Sequence, residues 1–216
     1  MPAKWNDGLE SAFTVSAQGI MEIGRYLYNR GWLYATSGNL SSLISSDPTI
    51  VAITESGTYK GNLKTENIIA IDGEMNVING TGKPSSESVL HLKLETSAKA
   101  GAVLHTHSVW STVISSYFTE SEGIYLSGYE MLKALNGVKT HEHEEFLPII
   151  ENSQDMNKVS LNLEDILNEK RGIHGFILRK HGLYTWGSDL NEALRHLEAL
   201  EYLLETEGRL LSFKDK

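Results

Sequence analysis

The histidines are where this chain could do metal chemistry. It has eight of them and no cysteine, so a transition metal could be held only by imidazole nitrogens and carboxylate oxygens. His105-Thr106-His107 closes the apolar run Ala102-Val103-Leu104. Alternate residues of an extended strand share a face, with Cα atoms roughly 6–7 Å apart, so both imidazoles can converge on one ion. The same spacing also suits two partly buried polar residues, and the pair alone leaves those readings level. A third ligand is needed. His181 is the best placed, because it follows the apolar run Gly175 to Leu178 and Gly182 lets the backbone bend closely around a site. Three imidazoles leave coordination open to a substrate, as a catalytic metal requires.

The other histidines carry weaker signals. His141 and His143 alternate in the same way, but Glu142, Glu144 and Glu145 surround them, which reads as a solvated loop. His91 and His196 fall on expected helices, where a packing or surface role is the default. His174, between Gly172 and Gly175, reads as a turn residue.

A phosphate needs several N–H and O–H donors with no bulky side chain in the way, and Thr36-Ser37-Gly38-Asn39 offers them. On composition alone the same residues make an ordinary polar turn. For proton transfer the candidates are Glu87 and Glu130. With 28 acidic residues in the chain, most carboxylates must be solvated surface groups, so acidity by itself singles out neither.

These residues need a scaffold, and the apolar pattern describes one. Phe13, Ala17, Ile20, Met21, Leu27 and Tyr28 recur at helical spacing ahead of a stop at Gly31. Ile50–Thr54, Ile68–Ile71 and Met75–Ile78 read as strands, the last two joined by a turn at Asp72-Gly73. Residues 86–99 and 128–135 read as helices, 102–107 and 175–178 as strands. Asp189 and Glu192 cap a final helix whose stripe is Leu190, Ala193, Leu194, Leu197, Leu200 and Leu204. Helices and strands interleave without a linker or repeat, so residues 1–216 are expected to form one α/β domain. A formal charge of −9 without a basic block argues against nucleic acid and anionic membranes. No apolar run is long enough to span a bilayer and no signal peptide is visible, which predicts a soluble, cytoplasmic protein.

Four segments in order, Ala-Thr-Ser-Gly-Asn at 35–39, Lys-Pro-Ser-Ser-Glu at 83–87, His-Thr-His at 105–107 and His-Gly-Leu at 181–183, make the chain resemble the class II aldolase/adducin superfamily from about Gly19 to Leu204. The resemblance implies a three-layer αβα sandwich around a mainly antiparallel sheet. It implies a homotetramer with active sites near subunit boundaries, and one zinc ion per subunit on His105, His107 and His181. It turns Ser37, Gly38 and Asn39, with Ser56, Gly57, Ser85 and Ser86, into contacts for the phosphate of a small sugar phosphate.

Arg25-Tyr26-Leu27, Gly31-Trp32, Tyr129 to Lys133, Leu147-Pro148-Ile149 and Gly182 to Gly187 are similar to the dehydratase branch that acts on methylthioribulose 1-phosphate. That likeness implies loss of water to a diketo phosphate in methionine salvage, with Glu130 first as acid/base. Glu87 comes second, as a local acid or transient metal ligand. Lys180 departs from the small residue common at its position. A sugar-phosphate aldolase or epimerase would share the same ligands and is the alternative activity. A metal-free adducin-like interaction module shares the fold, and the three histidines together weigh against it.

Overall fold

The structure is a computed structural model that describes residues 5–214. Asn6 accepts the Leu9 amide and so caps α1 (Asp7–Asn29), whose buried face carries Phe13, Ala17, Ile20 and Leu27. The chain then enters β1 (Asn39–Ser46), β2 (Thr49–Thr54), β3 (Ile68–Asp72) and β4 (Val77–Asn79), an antiparallel meander. Next come α2 (Ser88–Ser97), β5 (Ala102–Thr106), α3 (Val109–Tyr117), β6 (Gly123–Ser127) and β7 (Glu144–Ile150). Last are α4 (Met156–Glu169), β8 (Gly175–Leu178), β9 (Gly182–Gly187) and α5 (Leu190–Lys214).

The nine strands lie in the order β4-β3-β2-β1-β5-β9-β8-β7-β6. Every neighbouring pair is antiparallel except β7 with β8. That exception follows from connectivity, since α4 carries the chain back across the sheet and returns it in the same direction. The expected three-layer sandwich is therefore present, with a mainly antiparallel sheet.

Strand alternation sorts the core. Ala102 and Leu104 of β5 pack with α1, α3 and α5, whereas Val103 packs with Leu90 and Leu94 of α2 and with Val159 and Leu163 of α4. Each fully buried aliphatic side chain contributes about 1.5–3 kcal/mol. By the same alternation His105 follows Val103 onto the α2 and α4 face, and Thr106 turns to the α5 face, where its hydroxyl meets Glu201. Among the described residues no helix is long and apolar enough to cross a membrane.

Several local expectations change. Residues 128–135 form no α-helix but a 3-10 turn at Glu130–Ala134, and α2 is shorter than the expected 86–99. Residues 144 and 145 are not loop. They open β7, which is paired on both sides, and Glu145 is only 2% exposed. Nothing local in an acidic stretch marks it for burial, because its partner His174, just ahead of β8, is distant in sequence.

Candidate metal centre and active site

His105 is the last residue but one of β5, in register with Asn39 of β1 and Tyr184 of β9. It is fully buried, its Nδ1–H donates to the Leu183 carbonyl at 3.1 Å, and its ring stacks on Tyr184 with centroids 3.8 Å apart. Tyr184 stacks in turn on Phe176 at 4.7 Å, so the imidazole sits at the end of a three-ring pile. His107 leaves the strand with its amide bonded to the Trp32 carbonyl at 2.9 Å.

His181 lies in the tight turn between β8 and β9. Arg179 anchors that turn through the carbonyls of Ser115, Phe118 and Ser121. Lys180 takes the left-handed conformation at φ 55°, with its amide on the Ser115 hydroxyl. That backbone conformation is one that residues other than glycine seldom adopt. A Cβ on Gly182 would stand 2.0 Å from the Thr106 carbonyl oxygen, so glycine alone allows the turn to close against β5.

The three rings meet at their Nε2 atoms. His107 Nε2 is 2.9 Å from that of His105 and 3.1 Å from that of His181. Glu87, just ahead of α2, places Oε1 2.9 Å from His181 Nε2 and Oε2 3.9 Å from His105 Nε2. One ligand atom from each of the four residues lies within 4.8 Å of all the others.

Protonation decides what such a group wants. Burial pushes the His105 imidazolium well down, and burial followed by the His181 charge lowers His107 to about 4. Both rings are therefore neutral at physiological pH. His105 spends its one proton on Leu183 and so turns its Nε2 lone pair inward, while the Nδ1 of His181 faces Asn152 Oδ1 at 3.3 Å and its Nε2 faces Glu87 and His107. For Glu87, burial would raise the carboxyl. The His181 hydrogen bond, the electrostatic pull of the neighbouring His105 and His181 rings and the Asn39 amide outweigh burial and hold it well below the usual carboxylate range. Three ring nitrogens crowded this closely beside an ionised carboxylate, with the bare lone pair of His105 among them, form a donor set that fits a divalent metal. Ligands about 2.1 Å from a tetrahedral ion stand about 3.4 Å apart, close to the spacing seen.

Beside the cluster opens a groove of about 210 Å³. Its walls bring together Ser37, Gly38, Asn39, Ser56, Gly57, Ser85 and Ser86 with Glu87 and His107. Gly38 (φ 73°) comes so close to β5 that a Cβ would lie 2.6 Å from the His105 carbonyl oxygen. The Asn39 amide is already engaged, donating to Glu87 Oε2 at 2.6 Å and facing His91 with its oxygen, which leaves it one N–H for a ligand.

The groove also holds Lys60, which the motifs in the sequence do not single out. It is 1% exposed, with Nζ on the carbonyls of Thr58 at 2.7 Å and Thr36 at 3.2 Å. Burial lowers its pKa to about 8, against the opposing pull of Glu87 and Glu55, so it remains an ammonium with one proton to offer. The only sequence signal is a lysine just after Ser56-Gly57, and it takes the fold to turn that lysine inward.

Glu130 is placed elsewhere. Its side chain is 73% exposed and pairs with Lys133 at 3.0 Å, and it belongs neither to the four-residue cluster nor to the groove wall. A larger groove of about 790 Å³ along β6, β7 and α4 is lined by none of the cluster residues.

A family profile described as Class II Aldolase and Adducin N-terminal domain matches residues 18–207. The chain belongs to this family. Within this family the chain is 40% identical over 196 residues to the methylthioribulose-1-phosphate dehydratase of Marinobacter nauticus, covering 90% of this chain and 93% of that one. The dehydratase of the same name from Pseudomonas syringae pv. tomato is 42% identical over 195 residues, covering 90% and 94%. Among solved structures, an L-fuculose 1-phosphate aldolase superimposes with a TM-score of 0.75 at 22% identity, over 92% of this chain and 87% of that chain. This last likeness is one of fold. In a class II aldolase family member, the three imidazoles and Glu87 mark a site for a divalent metal.

Proposed function

We propose that this chain is a zinc-dependent methylthioribulose-1-phosphate dehydratase, folded over residues 1–216 as one domain and working as a cytoplasmic homotetramer. The observation that carries this reading is the convergence of His105, His107 and His181 beside Glu87, in a chain similar over 90% of its length to two dehydratases of that name.

Zinc held by His105, His107 and His181 would supply a Lewis acid for the ketone oxygen of the substrate. The chain's own groups do the rest. Ser37, Gly38, Ser56, Gly57, Ser85 and Ser86 present donors to the phosphate, and Lys60 adds the one charge-assisted bond available in the groove. Asn39 has one N–H left for the same purpose. The phosphate then orients the sugar chain toward His107 and Glu87.

Dehydration moves one proton out and one back. A base takes the proton from the carbon next to the ketone, and the hydroxyl on the following carbon departs with a proton as water. Glu87 is ionised and stands at the site, so it can accept the carbon-bound proton and return it to the leaving hydroxyl. Glu130 could carry that proton only from across a subunit boundary of the tetramer. The geometry of one chain favours Glu87.

The test is to incubate the purified, metal-loaded protein with methylthioribulose 1-phosphate and weigh the products. A single phosphorylated diketone lighter by one water is the expected result. Two carbon fragments would make the protein an aldolase, and a product of unchanged mass an epimerase.

A further inference from the structure

Glu87, His91 and Glu95 recur at four-residue spacing at and along α2, and so share one helix face. Asn39 and Ser41 alternate on one face of β1. Four residues of helix advance about 6 Å and two residues of strand about 6.6 Å, so the two rows run alongside each other nearly in step.

They interlock into one line. Asn39 Nδ2 donates to Glu87 Oε2 at 2.6 Å, and Asn39 Oδ1 lies 2.5 Å from His91 Nε2. His91 Nδ1 is 2.7 Å from Ser41 Oγ, which is 3.1 Å from Glu95 Oε1. His91 and Ser41 are fully buried, and Glu95 is 6% exposed. None of these three lines the groove, so none meets the substrate.

The direction of each bond can be worked out. Because Asn39 gives its N–H to Glu87, its oxygen faces His91, and Nε2 must carry the proton between them. Burial pushes the His91 imidazolium down to about 4, so the ring is neutral and Nδ1 is a bare acceptor. The Ser41 hydroxyl then donates to Nδ1, and its oxygen must accept from Glu95. Burial raises the Glu95 carboxyl to about 8, which supplies the required proton. Its other oxygen has no partner among the described residues, a much smaller cost for a neutral carboxyl than for a buried charge. Every proton in the line points toward Glu87.

We infer that Ser41, His91 and Glu95 are positioning residues, which act through Asn39 to hold Oε2 of Glu87 and leave Oε1 facing His181 and the substrate. This rests on the role proposed above for Glu87 in proton transfer. A line that only filled the core would be indifferent to which imidazole nitrogen it uses. This one requires an N–H at the position of Nε2.

Side-chain amides make that distinction testable in the holoenzyme, since glutamine places an N–H near Nε2 and asparagine places one near Nδ1. His91→Phe and His91→Asn should each lower kcat about 10–100-fold, as loss of an orienting partner does, with KM and metal content held. His91→Gln should restore most of it. In parallel, Glu95→Leu should lower kcat, and Glu95→Gln, which can donate to Ser41 as the neutral acid does, should recover it. Equal losses in Gln and Phe, losses confined to KM or bound metal, or no loss at all would each overturn the inference.

Ring ¹⁵N shifts of His91 provide a readout that needs no turnover. A neutral Nε2–H tautomer between pH 6 and 8 is expected, and an Nδ1–H or doubly protonated ring would overturn the line. If the wild-type protein fails to dehydrate methylthioribulose 1-phosphate, the proposed function falls, and the tautomer still decides the geometry of the line.

Discussion

Two groups of imidazoles and carboxylate stand at opposite ends of β8, and they are built on opposite principles. At the end near His181, three Nε2 atoms turn toward one another with Glu87 beside them. At the other end, every ring nitrogen that makes a contact faces an oxygen or a backbone N–H and not another ring nitrogen. His174 places Nδ1 on Glu145 at 3.0 Å and Nε2 on the Asn136 carbonyl at 2.9 Å. His196 places Nδ1 on the Trp186 carbonyl and takes the Asn136 amide on Nε2, and His143 reaches the second oxygen of Glu145. Buried Glu145 would be raised by burial, yet the His174 and His143 contacts hold it below its ordinary value. The second group is complete without any ligand, and the first is not. Counting histidines cannot tell a metal centre from a structural knot. What each ring nitrogen faces can.

Substitutions can break that contrast, and the largest effect should come from the ligands. His181→Ala should reduce bound metal from about one per chain to a small fraction and lower turnover by roughly three orders of magnitude. His174→Ala should keep its metal and lose thermal stability instead. Metal analysis and a melting curve on both variants check this, and metal loss in His174→Ala would erase the difference between the two ends.

Next in size is the proton carrier. Glu87→Gln should cost roughly two to four orders of magnitude in kcat with metal retained, and Glu130→Gln should cost less. If the loss belongs to Glu130→Gln instead, the proton is carried across a subunit boundary and Glu87 only orients the centre.

Lys60→Met should raise the substrate KM about 10–100-fold, the equivalent of about 1.5–3 kcal/mol for a hydrogen bond to a charged group. Bound metal should not change. Steady-state kinetics beside metal analysis tests it, and an unchanged KM would remove Lys60 from the phosphate contacts.

The smallest effects concern pH and the metal-free protein. His91 has a folded pKa of about 4, below its unfolded value of 6.5, so its contribution is present above pH 6.5 and lost as pH falls toward 4. Glu95 is raised from 4.5 to about 8, so its contribution is present below pH 4.5 and lost as pH rises through 8. Melting temperatures taken in chelator across this range should show His91→Gln flattening the acid side and Glu95→Gln the alkaline side. Parallel curves for both variants and the wild type would mean that neither group is neutralised by folding.

Much of the fold and of the site is legible in the residues alone. The helices α1 and α5, the strands β2, β3 and β8, and the His-Thr-His strand follow from apolar periodicity, which is local and survives in the sequence. The small donors at 37–39, 56–57 and 85–86 and the three histidines follow from motif order, and the structure gathers them at one groove and one cluster. Less visible are β1, α3, β6, β7 and α4, whose apolar patterns are short or broken by polar residues. Their burial depends on neighbours far along the chain.

By itself the sequence determined the chemical vocabulary: imidazole and carboxylate without thiolate, a strand that sets two histidines on one face, and the family to which those motifs belong. Tertiary structure alone decided the company each residue keeps. Glu87 meets the histidines, His91 joins Asn39 to Ser41, Lys60 turns inward and Glu130 stays outside, because strand register and helix docking set those meetings. Periodicity along the chain says which face of an element is buried. Only the packing of one element on another says what lies opposite that face, and it is there that lone pairs, protons and charges are matched or left to a metal.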